Sequence, residues 1–414
     1  MIKMGYAEAD ITPQKPVETV GFGREDNISR GILQPLLSQA VIWEDEELYC
    51  LVTIDSLGFT KDLSDRLREN IGQMLGRSVN NVMMCFSHCH SAPNAAVETD
   101  YYEMVCEKTL KAVNIAGERM HGVSIGYGNA VAEIGVNRRH GNALDKRVGI
   151  LKVCNAESGT LDLLLLRVTA HCNVLKSDNY MISPDYFGDI RDLLEENYGC
   201  PIMVVQGSAG NIAPKYFQSE ETPVDARGEQ YIRSQTALKD MALDVMNAAV
   251  PVIEQIDTKI DRSIQMYSRQ FKLYAEVPSI EAADKIAKEA KEKCGIDGTK
   301  WLEEVKRLKD NGTRKQEEIA EVQYFRIGDW CFCGVPYELM VEFANAAQQM
   351  LKNEFFYLNG YTNGCLTYFP MEEEFDKGGY EVYWSMLLYY SYFGRVFPFE
   401  RESATKLLEF VVTE

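Results

Sequence analysis

The feature that most constrains the fold is a recurring order in which a short apolar segment runs directly into a polar loop. Five segments of this kind have the length of β-strands, at residues 47–54, 81–86, 161–170, 201–205 and 329–334. Amphipathic stretches with helical spacing separate or follow them, at residues 63–75, 101–118, 186–198 and 236–249. This alternation predicts an α/β fold with mixed β-sheets flanked by helices. In such folds the loops that follow strands gather at one edge, where ligands bind.

One charged stretch, rich in Ala, Glu and Lys, interrupts this pattern. Residues 280–308 have helical spacing and lie between two strand-like segments, 268–274 and 321–327. Glycines between positions 295 and 298 would turn the chain back on itself. We therefore predict a solvated helical hairpin, inserted into the fold at residues 278–318.

The composition narrows the possible partners. There are 43 Lys and Arg against 62 Asp and Glu, and the formal net charge of -19 should repel nucleic acid and anionic membranes. The N-terminus lacks the pattern of a signal peptide, and the longest apolar run is too short to span a bilayer. The 11 cysteines are scattered without a CxxC pair, as in a reducing compartment. We predict a cytoplasmic protein without nucleic-acid partners or stable membrane association, and the sequence predicts no oligomeric state.

Three of the five histidines lie in loops that follow predicted strands. His88 and His90 are two residues apart, so in an extended chain their imidazoles point the same way. His171 follows the most apolar strand, and Glu338 lies where a strand gives way to a helix. Imidazoles and carboxylates are typical ligands of a catalytic zinc, which takes three protein ligands and leaves a position for water. The structural alternatives are a hydrogen-bonded core histidine for His171 and a helix N-terminal acid for Glu338.

A glycine-rich loop at residues 206–214 follows the fourth predicted strand. It lacks the Lys-Ser/Thr ending of a phosphate-binding loop. Its backbone N–H groups could bind an oxyanion. Alternatively, the loop is a tight turn that has no catalytic role. Within this loop, Gln206, Gly210 and Asn211 are the candidate substrate-binding residues.

Several motifs of the chain resemble, in order, those of the neutral ceramidase family. The matching segments are residues 5–13, 87–93, 137–138, 170–171, 182–188, 206–214, 336–338, 361–370 and 378–381. Each motif is weak alone, but the ordered set is specific and covers nearly the whole chain. The resemblance implies a single ceramidase-like catalytic domain over residues 1–414.

The resemblance also implies an activity, a metal and a set of site residues. The activity is zinc-dependent hydrolysis of an N-acyl amide, in which zinc-activated water attacks the carbonyl. The zinc ligands that it implies are His88, His171, Glu338 and Tyr368, with Cys365 as an alternative to Tyr368. His90 and Arg138 would assist the reaction and hold the developing oxyanion.

Two departures from the family pattern qualify this expectation. Ala213 and Asn211 stand where the family has a serine and an aspartate, so a serine nucleophile at that position is excluded. After the tyrosine-rich segment we also expect no counterpart of the family's C-terminal β-sandwich. We therefore expect a small-molecule N-acyl amide as substrate in place of ceramide. Two alternatives stay open, namely an inactive metal- or ligand-binding relative and an amidohydrolase-barrel enzyme, which also uses an HxH pair.

Overall fold

A computed structural model describes residues 1–139, 141–216, 232–261 and 263–413. The strands, in chain order, are β1 (Lys3–Asp10), β2 (Gly31–Ile32), β3 (Leu37–Glu44), β4 (Leu48–Ile54), β5 (Val82–Phe86), β6 (His121–Val131), β7 (Gly135–Asn137), β8 (Arg147–Asn155), β9 (Leu161–Val168), β10 (Met181–Ile182), β11 (Ile202–Gln206), β12 (Ile212–Pro214), β13 (Ile264–Glu276), β14 (Lys315–Ile327), β15 (Trp330–Gly334), β16 (Glu338–Leu339), β17 (Phe356–Asn359) and β18 (Tyr368–Phe369). The helices are α1 (Lys61–Leu75), α2 (Thr99–Glu118), α3 (Tyr186–Tyr198), α4 (Gln235–Gln255), α5 (Ile280–Cys294), α6 (Thr299–Asp310), α7 (Val341–Leu351), α8 (Met386–Phe393) and α9 (Ser403–Val412).

The largest sheet has eight strands in the order β11-β9-β8-β6-β1-β3-β4-β5. It consists of two four-stranded units with the same connectivity. In the first unit, β1 to α2, strands β1, β3 and β4 pair antiparallel in turn, and β4 pairs parallel with β5. In the second unit, β6 to α4, strands β6, β8 and β9 pair antiparallel in turn, and β9 pairs parallel with β11. In each unit one helix connects the parallel strands and another follows them, as parallel pairing requires.

The two units meet along a short seam and again at their far edges. β1 and β6 share only two register pairs, Lys3 with Gly122 and Met4 with His121. The sheet curls so that the ends of its outer strands approach, and Gln206 Nε2 donates to the Ser87 carbonyl at 3.3 Å. Strands β5 and β11 are nevertheless the ends of the described sheet and do not pair with each other. The amidohydrolase-barrel alternative is therefore wrong, because such a barrel is a closed ring of parallel strands.

Apolar layers cover both faces of this sheet. On one face the helices of the two units pack on residues such as Val52, Phe86 and Leu166. On the other face lies a second sheet of order β13-β14-β15-β17, which contributes Phe325 and Trp330 to a shared core. Burial of aliphatic and aromatic side chains is the main stabilising term in such an arrangement. The predicted fold class, mixed β-sheets flanked by helices, is confirmed.

The helical-hairpin insertion is also confirmed, and it does more than extend into solvent. Its helices α5 and α6 leave the second sheet where β13 and β14 end their pairing, at Glu276 opposite Lys315. Gly295, at a φ of 68°, ends α5 in the left-handed conformation that glycine adopts without strain. One face of the hairpin, including Trp301 and Val305, is buried against Leu387 of α8.

The remaining differences from the predicted elements have simple causes. Strands β13 and β14 are each thirteen residues long, because both continue beyond the predicted segments 268–274 and 321–327 through positions that alternate between exposed and buried or half-buried. Helix α4 continues through Pro251, beyond its predicted end.

All 11 cysteines are free thiols, and nine of them are buried. Among the described residues, no helix combines the length and apolar character needed to cross a bilayer.

Candidate metal centre and catalytic pocket

His88 occupies the loop that follows β5. Its backbone is in the left-handed region, with a φ of 57°, which is uncommon for a residue with a side chain. Its Nδ1 lies 2.8 Å from the carbonyl of Leu57, in the loop that follows β4. Because a carbonyl only accepts, Nδ1 must carry a proton, so Nε2 is the ring nitrogen that could bind a metal. Nε2 is buried and has no hydrogen-bond partner among the described residues.

His171 is held in the same way from the second unit. It follows β9 and is fully buried. Its Nδ1 donates to the carbonyl of Ala209 at 2.6 Å, in the loop that follows β11. Its Nε2 is likewise buried, and the described part of the chain offers it no hydrogen-bond partner.

Glu338 joins these two histidines from outside both units. It begins β16, which pairs parallel with β18 so that Glu338 lies opposite Tyr368. One carboxylate oxygen, Oε2, is 3.2 Å from Nε2 of His88 and 3.2 Å from Nε2 of His171. Burial alone would raise the pKa of Glu338, but the imidazoles beside it outweigh burial and hold its pKa well below the usual range. The site therefore contains an ionised carboxylate beside the Nε2 atoms of two imidazoles.

His90 points a third imidazole towards the same place. Its Nδ1 donates to the Gly21 carbonyl at 2.6 Å, and its buried Nε2 has no partner in the described residues. Ligand atoms of His88, His90 and His171 lie within 4.8 Å of one another. Burial, joined by the neighbouring imidazoles, lowers the pKa of His90 well below its usual value, and burial lowers that of His171 to about 4. Neutral imidazoles with unused lone pairs fit a metal ion such as zinc.

Two further candidate ligands approach from different sides. The Tyr368 ring stacks on His171 with 6.5 Å between ring centroids, and its hydroxyl accepts from Arg138 Nη2 at 3.0 Å. The Cys365 thiol lies 3.7 Å from Nδ1 of His88 and forms a possible metal-binding group with His88 and Glu338. Both residues that the resemblance offered as fourth ligand are thus at the site.

A short strained segment ties these residues to β5. Tyr361 and Asn363 have φ values of 53° and 58°, and such backbone costs on the order of 1–3 kcal/mol per residue. The segment is held by paired hydrogen bonds, from Phe86 N to the Tyr361 carbonyl at 2.9 Å and from Asn363 N to the Met84 carbonyl at 2.7 Å. The Tyr361 ring is consequently 4.4 Å from His88, and its hydroxyl donates to Glu338 Oε2 at 3.3 Å.

His88, His90 and Glu338 line a cavity of about 170 Å³. Arg138, which follows β7, supplies the only guanidinium or ammonium group among the described lining residues. Burial opposes the charge of Arg138, but the acidic groups around it, led by Tyr368, outweigh burial and raise its pKa. The wall opposite the metal ligands is aromatic, and its members are Tyr380, Tyr389, Tyr392 and Phe393. The cavity thus joins a polar floor to an apolar wall, as is usual for a small-molecule site.

Solved structures of similar architecture are ceramidases. Neutral ceramidase from Pseudomonas aeruginosa superposes with a TM-score of 0.70 at 17% sequence identity, over 100% of this chain and 75% of that one. A ceramidase complexed with C2 gives a TM-score of 0.72 at 17% identity, over 99% of this chain and 74% of that one. The chain has the neutral ceramidase fold. No protein-family model matches the sequence, and neither does any curated protein.

Within the neutral ceramidase fold, the glycine-rich loop at residues 206–214 lies behind the cavity. Gln206, Gly210 and Asn211 are not among the described residues that line it. The Gln206 amide donates to the Ala170 carbonyl at 2.7 Å, and Asn211 Oδ1 accepts from the first N–H of α7 at 2.8 Å. Gly210 accepts from Arg138 Nη2 at 2.7 Å through its carbonyl. The loop therefore supports Arg138 and α7, and the structure does not bring these three side chains to the pocket.

Sequence reasoning missed several residues that the fold brings to the site. The carbonyls of Leu57 and Ala209 fix the two histidine tautomers, and backbone atoms leave no residue-type signal. Tyr361 and Glu381 lie inside motifs that resemble the family, and those motifs were the available signal. Ala213 is buried in β12 opposite Val136, and it is not among the described residues that line the cavity.

Proposed function

We propose that the chain is a zinc-dependent hydrolase of linear amides that acts on small-molecule N-acyl amides. The observation that carries the proposal is the convergence of the buried Nε2 atoms of His88 and His171 on one carboxylate oxygen of Glu338, with the unpartnered Nε2 of His90 beside them. Leaving such groups without a cation would cost on the order of 1–3 kcal/mol each. In this proposal His88, His171 and Glu338 hold the metal, and Tyr368 or Cys365 completes the set.

The donor set also decides which chemistry the metal would supply. Zinc bound there would polarise the amide carbonyl and make water a nucleophile near neutral pH. Arg138 then donates to the carbonyl oxygen as negative charge develops, a role its raised pKa keeps available at all working pH values. His90, whose Nε2 is neutral and unpartnered, accepts a proton from the attacking water and passes it to the leaving nitrogen. The products are a carboxylic acid and an amine.

The cavity favours a substrate with one apolar arm. Its aromatic wall suits an acyl chain, and Arg138, the one cationic side chain among the described lining residues, binds the reacting oxygen in this proposal. A cavity of about 170 Å³ matches a short or medium chain. We propose a substrate delivered from water in the cytoplasm, and the net charge of -19 supports this because it opposes docking on anionic bilayers.

The experiment that tests this function combines metal content with turnover. Purified protein should contain about one zinc per chain, lose activity with a chelator and recover it with zinc. Turnover is then measured on N-acyl amides of increasing chain length in water and on long-chain ceramide in mixed micelles. Short soluble amides should have the higher kcat/KM. Faster hydrolysis of micellar ceramide would reject the soluble substrate, and turnover that survives complete zinc removal would reject the metal mechanism.

A second candidate is an inactive metal- or ligand-binding relative. It is favoured by Ala213 and Asn211, which stand where the family has a serine and an aspartate. Against it, neither position lines the cavity, and Asn211 has a structural task at the start of α7. Zinc binding without turnover of any amide in the panel would establish this second candidate.

A further inference from the structure

Arg138 is fixed by three partners that approach it from different elements. Its Nη2 donates to the Gly210 carbonyl at 2.7 Å and to the Tyr368 hydroxyl at 3.0 Å. Its Nε lies 2.7 Å from Glu381 Oε1, which makes an ion pair by distance although the contact lacks hydrogen-bond geometry. Among the described residues, no hydrogen-bond partner takes Nη1, and Arg138 lines the cavity. The guanidinium is therefore held along one side and keeps a donor for a ligand.

Glu381 reaches Arg138 from a tight turn of π-helical form at Tyr380–Trp384. Gly378 and Gly379 precede the turn with φ values of 63° and 89°, which residues with side chains rarely adopt. The turn places two neighbouring side chains at the site. Tyr380 enters the cavity wall, and Glu381 stays behind it against Arg138.

The second oxygen of Glu381 is also engaged. Glu381 Oε2 accepts from Arg139 Nη1 at 2.9 Å, and Arg139 Nε donates to Glu374 Oε2 at 2.5 Å. Two carboxylates and two guanidiniums therefore alternate in one buried chain. Only one member of it, Arg138, faces the cavity, and only Glu381 among the carboxylates touches that member.

We propose that Glu381 is a positioning residue that aims Arg138 at the substrate carbonyl oxygen. Arginine has a long side chain, and a preorganised donor must not have to reorient as charge develops. Glu381 supplies the anion on the Nε side, so that Nη1 remains directed into the cavity. This inference rests on the proposed function, because the orientation of the Arg138 guanidinium affects catalysis only if an oxyanion forms or binds beside it.

The chain provides a matched control for testing this role. Glu374 and Glu381 have the same side-chain exposure of 9%, and both bind Arg139. Glu374 makes no ion pair with Arg138. Glu381→Gln and Glu374→Gln therefore remove one buried charge each from the same network, but only the former changes the support of Arg138.

The expected result is a selective loss in Glu381→Gln. Its kcat should fall by up to about 10²-fold, the cost of a small misplacement of a catalytic group, with KM and zinc content close to wild type. Glu374→Gln should keep kcat. In the Arg138→Ala background, Glu381→Gln should cause no further loss, because the two residues then act through one interaction. Glu381→Asp, which keeps the charge, should recover part of kcat and replaces Glu381→Gln if that variant does not fold.

A binding measurement separates failure of this inference from failure of the proposed function. Butyrate, a short carboxylate that resembles an acyl product, is titrated into the zinc-loaded protein by calorimetry. Glu381→Gln and Arg138→Ala should both weaken butyrate binding, and Glu374→Gln should not. Equal effects of Glu381→Gln and Glu374→Gln on kcat and butyrate affinity would overturn the positioning role. If wild type hydrolyses no amide but Glu381→Gln and Arg138→Ala still weaken butyrate binding, the proposed function is rejected. The role of Glu381 in orienting Arg138 is then retained.

Discussion

The first and second units of the large sheet have the same connectivity but supply their histidines from different strands. In the first unit, His88 follows β5, the second strand of the parallel pair, and its Nδ1 donates to the carbonyl of Leu57 after β4. In the second unit, His171 follows β9, the first strand of the pair, and donates to the carbonyl of Ala209 after β11. The loop that gives the imidazole and the loop that gives the acceptor have exchanged roles.

This exchange shows what the site requires of the fold. Each unit needs two adjacent parallel strands, because their neighbouring loops place an imidazole and a carbonyl within hydrogen-bond distance. Which loop carries the histidine does not matter, provided that Nδ1 is held and Nε2 is left free. The units are joined by Glu338, which is 3.2 Å from both Nε2 atoms and belongs to neither. The candidate metal site thus lies where the two units and a third element meet.

The largest expected effect is on metal retention, and it should be the same for the two units. His88→Ala and His171→Ala each remove one nitrogen that faces Glu338 Oε2. The zinc affinity of each variant should fall by more than about 10–100-fold, which is the typical cost of removing a residue that only hydrogen-bonds a metal ligand. Amide turnover should disappear. Elemental analysis after desalting, followed by zinc titration, measures the loss. Zinc at wild-type affinity in either variant would mean that one unit binds the metal alone.

The next effect separates the two histidines of the first unit. His90→Ala should retain zinc but lose turnover by about 10²–10⁴-fold, as is usual for a general acid or base. The reason is that the Gly21 carbonyl, in the segment between β1 and β2, holds His90, whereas the ion pairs of Glu338 in the described residues are with His88 and His171. His88→Ala assayed in parallel is the control that loses zinc. Equal zinc loss in both variants would place His90 among the ligands.

The fold was predictable where strands are buried on both faces. Strands β5, β11 and β15 have every residue buried, so their apolar runs stand out within a residue or two of the observed bounds. Strands β1 and β6 have half-exposed stretches and were not singled out from the sequence. The duplicated connectivity has no sequence signal at all, because pairing order depends on contacts between segments far apart in the chain.

The site shows the same division between side chains and backbone. His88, His171 and Glu338 could be selected because their residue types fit a metal and because each follows a strand. The acceptors that orient the two histidines are carbonyls, which every residue has. Gln206 was selected for the loop it belongs to, and its amide instead bridges the Ala170 and Ser87 carbonyls behind the cavity. Residue type therefore predicts candidate ligands better than it predicts which face of a loop meets the substrate.

A smaller effect should follow from the two glycines beside the acceptors. Leu57 is followed by Gly58 and Ala209 by Gly210. A Cβ on Gly58 would lie 2.2 Å from the Cys365 Cβ, and one on Gly210 would lie 2.5 Å from the Glu338 carbonyl oxygen. Gly58→Ala and Gly210→Ala should therefore displace the acceptor loops and weaken zinc binding by about 10–100-fold.

Competition with a chelator measures both zinc affinities, and a third glycine provides the control. A Cβ on Gly117 of α2 would meet nothing closer than 3.6 Å, so Gly117→Ala should leave zinc affinity unchanged. If Gly58→Ala and Gly210→Ala lose the same zinc affinity, the two units contribute equally to the geometry of the site. Loss in only one of them would show that a single acceptor loop determines the geometry of the site.

The smallest expected effect is a pH dependence of stability that belongs to the second unit alone. Asp189, in the first turn of α3, has its pKa raised from 3.8 to about 7 by burial and by the nearby charges of Asp192 and Asp185. The folded state therefore binds this proton more tightly than the unfolded state. Its contribution to stability is complete below about pH 4 and is lost as pH rises through 7. Asp189→Asn should remove that loss, so its melting temperature relative to wild type should rise between pH 4 and pH 8. Asp62→Asn, at the exposed acid in the first turn of α1, should keep the wild-type pH profile, and matching profiles for Asp189→Asn and wild type would contradict the prediction.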